Sequence, residues 1–380
     1  QFRLKPPLPG ISADVLAELA AMGIFGVVDD ADIERLRQHR FTSAGSTLLD
    51  DFMDPFWVAI AHWIPPWISP NLISVVGGAC AVAASPISIV ATRFDIPALY
   101  AIAPLLLFVY MTADAVDGKH ARRTGQSTPL GAIVDHGIDA SCAFTTGIAV
   151  VNTVDSTLST MRIMLGYCLF HSSWFCAQWG ELELGALDQR GITEGEFATM
   201  LVLSLPGLVA PDIMSWPIVG QLELRFLVEL GVIFGCGAVV LAFLVKVLRA
   251  TSGRRLQACL PFLHMCLHNV VAVLLSRTLL GRQAPLLAFT VVGMDAAVLM
   301  TKIRLNATLH GQWPAIHFDM VPFLVVAATH ISGMNVGTQT FYAVLFWQVL
   351  SFSLLWHDTI TRICRNLNIP FLSAVPQKRA

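Results

Sequence analysis

The sequence predicts an all-α, polytopic membrane protein: a helical bundle with about ten transmembrane helices and both termini in the cytosol. Three observations carry this. Hydrophobic residues fill 55% of the 380 positions and charged residues only 13%, against roughly 25% in an ordinary soluble domain. Mean hydropathy is +0.65. The apolar residues fall into runs near the ~20 residues a span needs, and the basic residues between the runs divide unevenly between two sides.

Taken in order, residues 1–50 are polar and mixed in charge, and Ser12 is placed to cap a short amphipathic helix, ADVLAELAAMG. No cleavable leader is read at Gln1, so the first membrane helix is expected to direct insertion. The stretch 54–68, DPFWVAIAHWIPPWI, holds three Trp in a run too short to span and is expected to lie on the membrane surface. Spans are then expected at 71–91, 97–117, 129–152, 161–179, 196–212, 226–248, 258–276, 285–301, 317–333 and 341–357. Ser69-Pro70 and Thr128-Pro129 read as cap and first helical residue, and Thr193 with Glu196 as a capping box.

Lys119, Arg122, Arg123, Arg190, Arg249, Arg254, Arg255, Lys302, Arg304 and the tail residues Arg362, Arg365, Lys378 and Arg379 fall on one side. Arg93, Arg162, Arg225, Arg277 and Arg282 fall on the other, so the first side reads as cytosolic. The sequon Asn306-Ala-Thr308 then lies in the cytosol and is expected to stay unmodified. A net charge of −2 gives nucleic acid no footing. The eight Cys carry no CxxC and read as apolar packing residues.

The chemistry concentrates in 114–139, DAVDGKHARRTGQSTPLGAIVDHGID. Asp114 and Asp117 are three apart and Asp135 and Asp139 four apart, so each pair shares a helix face. Asp135 is six residues past Pro129, roughly 9 Å down a helix, a depth at which a carboxylate needs a cavity or a partner. Four converging carboxylates repel one another, and divalent cations are the simplest compensation: Mg²⁺ or Mn²⁺, with Ca²⁺ a competitor. Gly118 frees the backbone to turn and lets a ligand approach, while Gly131 and Gly137 remove bulk from the facing helix.

Asp114-x2-Asp117-Gly118-x2-Ala121-Arg122-x8-Gly131-x3-Asp135-x3-Asp139 resembles in full the signature of the CDP-alcohol phosphotransferase family. SPNLIS (69–74), DGKHARRT (117–124), PLGAIVDHGIDA (129–140) and the AQW…ITEGE stretch (177–196) resemble its choline/ethanolamine branch. One departure is Ala132, where that branch commonly has Glu.

The resemblance implies a metal site of Asp114, Asp117 and Asp135, with Asp139 serving a second ion or acting as base. It implies a CDP site lined by Gly118, Ala121, Arg122 and Gly131, with Asn71 contributing. The implied reaction is transfer of phosphocholine or phosphoethanolamine from CDP-choline or CDP-ethanolamine to diacylglycerol, releasing CMP, by a homodimer of the endoplasmic reticulum or Golgi with a cytosol-facing site. Asp139 is the first candidate base and His136 the second. On this reading 1–68 is a cytosolic segment with an interfacial helix, 69–250 the catalytic helices, and 251–380 further spans and a cytosolic tail.

The other readings are blander. His264 and His268 are four apart but lack the HExxH residues and read as packing histidines. Asp295 is expected to hydrogen-bond inside the bundle, and Glu194 is a candidate to face the donor. A cation-coupled transporter is the rival class, but the Asp pattern has no second copy. An inactive scaffold conflicts with the intact eight residues.

Overall fold

The computed structural model describes residues 30–38, 43–154, 160–188, 190–310, 313, 317–334 and 336–374. The helix expected from Ala13, and Lys378 and Arg379, lie outside them. The described residues are almost wholly helical. After α1 (Asp30–Gln38) and α2 (Leu48–Trp63) come α3 (Pro70–Phe94), α4 (Pro97–Thr124), α5 (Pro129–Val154), α6 (Thr160–Leu184) and α7 (Ile192–Leu208). The second half comprises α8 (Leu224–Ala250), α9 (Arg255–Ser276), the short α10 (Leu279–Gln283), α11 (Pro285–Leu305), α12 (Val321–Ile331) and α13 (Gln339–Leu367). Among the described residues, seven helices are long and apolar enough to cross a membrane: α3, α4, α5, α8, α9, α11 with its continuation to Leu309, and α13. This is an all-α polytopic membrane protein. The other three expected spans are also helical, as α6, α7 and α12 with the 3-10 turn Phe318–Met320 before it.

Local sequence explains most helix ends. Pro70, Pro97 and Pro285 open α3, α4 and α11, where a missing N–H costs nothing. Thr128 caps α5 as expected, its Oγ1 accepting from the Gly131 N–H at 3.2 Å. The capping box expected at Thr193 and Glu196 does not form. Gly191 caps α7, and the Thr193 hydroxyl instead donates to Asp50. Asp50 completes a real capping box with Thr47 at the start of α2, so Thr193 ties α2 to α7.

Of the apolar run 54–68 expected on the membrane surface, the part up to Trp63 belongs to α2. Trp57 and Ala61 are buried, while Leu48, Phe52 and Trp63 stay outside. The turn expected at Gly118 is absent, because α4 continues through it to Thr124. The chain turns at Gly125, whose φ of 65° is the left-handed conformation glycine tolerates. Lys302 and Arg304 are not loop charges. Both are buried at the end of α11, where Lys302 pairs with Asp319 and Arg304 with Glu181. Opposite charge within hydrogen-bond reach is what makes that burial tolerable.

Helices α4 and α5 both pack on α3, α7 joins α4, and α11 lies along α5. The close approach of α13 to α5 depends on Gly137, where a Cβ would fall inside the Trp356 ring. All eight Cys are free thiols. Asp295 is 1% exposed and accepts from Gln348 Nε2 at 3.1 Å, the interior hydrogen bond expected of it, and His268 packs beside it. His264 accepts from Trp313 Nε1 at 2.7 Å. Asn306 is buried and its amide donates to the Lys302 carbonyl at 2.9 Å.

Candidate active site

The last three turns of α4 and the first three of α5 form a V joined at Gly125. Asp114 and Asp117 line one arm, Asp135 and Asp139 the other. Carboxylate oxygens of Asp114, Asp135 and Asp139 all lie within 4.8 Å of one another. Asp117 stands beside them, within electrostatic reach of Asp114 and Asp135, and accepts from the Ser74 hydroxyl on α3. Tyr110, one turn before Asp114, donates its hydroxyl to Asp139 Oδ1 at 2.7 Å. Among the described residues no lysine or arginine is ion-paired with any of the four. Lys119, the nearest in sequence, pairs with Asp54 on α2 at 3.1 Å.

The donor set is therefore all oxygen and anionic, with Lys119 and Arg304 acting on it from a distance and not as ion-pair partners. This chemistry suits a hard divalent cation. The single convergent group among the described residues gives no support to a repeat-based transporter.

The residues expected around a nucleotide lie between the carboxylates and the joined end of the V. The Arg122 guanidinium folds back over Gly118, its Nη1 3.3 Å from where a Cβ would stand, so a side chain there would press on it. Ala121 is on the same turn of α4. Gly131 faces Asn71, whose Oδ1 is 3.6 Å from the Gly131 Cβ position. His136 is buried and outside the three-carboxylate group. Its Nδ1 is 3.0 Å from the Ala132 carbonyl and 3.4 Å from Asp135 Oδ2, and a tautomer donating from Nδ1 carries its lone pair on Nε2. Glu194 stands at the start of α7 with Oε2 buried and unpartnered. Glu196 sits within electrostatic reach of Asp114 and Asp139.

Sequence reasoning missed Ser74, Tyr110 and the Arg304–Glu181 pair. Tyr110 was findable, because 110, 114 and 117 share one face of α4. Ser74 and Arg304 act across helix contacts that no local pattern reveals.

The segment that carries these residues is similar to known proteins. Residues 67–180 match the family model described as CDP-alcohol phosphatidyltransferase. The chain is 33% identical over 227 residues to cholinephosphotransferase 1 of Gallus gallus, covering 56% of this chain and 65% of that protein. It is 32% identical over 222 residues to cholinephosphotransferase 1 of Homo sapiens, covering 54% and 53%. It is 30% identical over 205 residues to choline/ethanolaminephosphotransferase 1 of Saccharomyces cerevisiae, covering 51% of each. The matched region thus spans between half and two thirds of these relatives. The segment 67–180 that matches the CDP-alcohol phosphatidyltransferase model contains the whole Asp114 to Asp139 pattern.

Proposed function

We propose that this protein transfers phosphocholine or phosphoethanolamine from a CDP-linked donor to the free hydroxyl of diacylglycerol, releasing CMP. The observation that carries it is the convergence of Asp114, Asp135 and Asp139, inside a segment whose relatives are named for this reaction. A pair of Mg²⁺ or Mn²⁺ ions held by Asp114, Asp117, Asp135 and Asp139 would neutralise the diphosphate and the charge that develops at phosphorus.

The chain's own groups do the rest. Arg122, lying over Gly118 and Ala121, is placed to hold the diphosphate. Asn71 and Gly131 border the nucleoside. Ser74 and Tyr110 fix the rotamers of Asp117 and Asp139, so donor oxygens are not reoriented during reaction. Asp139, or His136 through Nε2, takes the proton of the lipid hydroxyl. The hydroxyl oxygen then bonds to the phosphorus that bears the amino alcohol, the bond from that phosphorus to the CMP oxygen breaks, and CMP leaves with the electron pair. Residues 69–250 carry this chemistry, 1–68 supplies the interfacial α2, and 251–380 braces α5 through α11 and α13. We place the protein, as a homodimer, in the endoplasmic reticulum or Golgi membrane with the site toward the cytosol.

The test is product identity. Purified protein receives diacylglycerol, Mg²⁺ or Mn²⁺, and either CDP-choline or CDP-ethanolamine labelled in the head group. Label moving into the lipid extract only when diacylglycerol is present supports the reading, and the two rates assign the head group. Folded protein that moves neither label refutes it.

A further inference from the structure

Helix α13 ends at Asn368, whose left-handed φ of 51° turns the chain back across the bundle. The segment after it is anchored three times. Ile369 and Phe371 pack on the cluster that includes Leu130 and Val134 of α5. Ser373 forms an antiparallel bridge with Ile68, just ahead of α3. The Phe371 carbonyl accepts from Asn71 Nδ2 at 2.8 Å.

That last bond has a chemical consequence. A carbonyl only accepts, so it fixes which end of the Asn71 amide is nitrogen. The oxygen is left on the side of Gly131, and Asn71 is only 6% exposed, so the amide has little freedom to rotate. One helical turn further along α3, Ser74 holds Asp117. The Asn71 oxygen thus stands about one turn outward from the carboxylates, where the nucleoside of a diphosphate bound there would lie.

We propose that the C-terminal segment 368–374 is a positioning element for the nucleotide: through the Phe371 carbonyl it locks Asn71 so that Oδ1 is presented as a hydrogen-bond acceptor to a donor group of the nucleoside. This rests on the CDP-donor reading above. Phe371 is a positioning residue and touches no substrate. Without the segment, the Asn71 amide can flip and offer its nitrogen instead, and the donor binds more weakly while the reacting groups are unchanged.

The test is a double-mutant cycle in the full chain, with CMP release followed against CDP-choline or CDP-ethanolamine concentration. Phe371→Asp expels the segment, Asn71→Ala removes the acceptor, and Phe371→Leu keeps the packing. Phe371→Asp and Asn71→Ala are each expected to raise the donor KM about tenfold with kcat within about threefold. The double variant should be no worse than the worse single, and Phe371→Leu should match wild type. Should Phe371→Asp not fold, Ser373→Pro weakens the bridge to Ile68 while leaving Phe371, and it should show the same KM rise. Effects that multiply in the double variant, or a fall in kcat at unchanged KM, overturn the proposal.

A CMP-induced rise in Tm separates this idea from the reaction itself. If wild type releases no CMP, the proposed reaction fails. A Tm rise in wild type that is lost in Phe371→Asp and Asn71→Ala still supports the locked amide, and no rise in wild type overturns it.

Discussion

Replacing Asp135 by Asn separates stability from function, because the cluster is costly to the fold and necessary to the chemistry. The ligand oxygens of Asp114, Asp135 and Asp139 lie no more than 4.8 Å apart. At that limit two carboxylate charges repel by about 3.5 kcal/mol for an effective dielectric of about 20. Three charges make three such pairs, and Asp135→Asn removes two of them, about 7 kcal/mol of repulsion at the 4.8 Å limit between ionised groups in metal-free protein. The same change removes an anionic ligand oxygen, and turnover is expected to fall at least about 1,000-fold, equivalent to about 4 kcal/mol of transition-state stabilisation. The assay pairs thermal unfolding in detergent, with EDTA and then with Mn²⁺, with CMP release. In EDTA the variant should melt above wild type. Mn²⁺ should raise wild type markedly and the variant little. A variant that melts below wild type in EDTA, or turns over at a near-wild-type rate, would refute the cluster as a site of concentrated, cation-compensated charge.

Other outcomes follow from single contacts. Tyr110→Phe removes the donor to Asp139 at 2.7 Å; kcat should fall about tenfold while stability changes by only about 1 kcal/mol, checked by steady-state kinetics beside a melt. Arg304→Leu leaves Glu181 buried without its ion-pair partner, with an expected cost of about 3–5 kcal/mol, and the double variant Glu181→Leu/Arg304→Leu should recover most of it; denaturant or thermal unfolding in detergent tests both. Outside the spans, Arg190 above all, and then Lys246, hold the Asp188 carboxyl well below the usual carboxylate range despite partial burial. A carboxyl depressed on folding stabilises above its unfolded pKa of about 3.9 and loses that contribution as pH falls. The Tm difference between wild type and Asp188→Asn should therefore be flat from neutral pH down to about 5 and shrink below about 4.

The legible part of this protein was what local pattern encodes. Hydropathy runs place a helix at every expected span, and the i, i+3 and i, i+4 spacing of the Asp residues puts each pair on one helix face. Capping by Thr128 was readable because cap, Pro and first turn are contiguous. Thr193 misled because the same local pattern serves a hydroxyl that finds Asp50, far away in sequence. Lys302 and Arg304 were misread as loop charges because their partners, Asp319 and Glu181, come from other elements. Gly118 looked like a turn beside charged residues, yet α4 continues and Gly125 supplies the turn. What sequence could not supply was the cross-helix layer of Ser74, Tyr110 and the return of the C-terminal segment to Asn71.

The most direct test of the central claim is a Mn²⁺ titration of CMP release by EDTA-treated wild-type protein and Asp114→Asn, with diacylglycerol and a CDP-alcohol held constant. Saturable activation of wild type by Mn²⁺, with no activation of Asp114→Asn at any concentration that leaves it folded, is the predicted result. CMP release by wild type that persists in excess EDTA, or full activation of Asp114→Asn, would contradict the assignment of the reaction to the Asp114, Asp135 and Asp139 site.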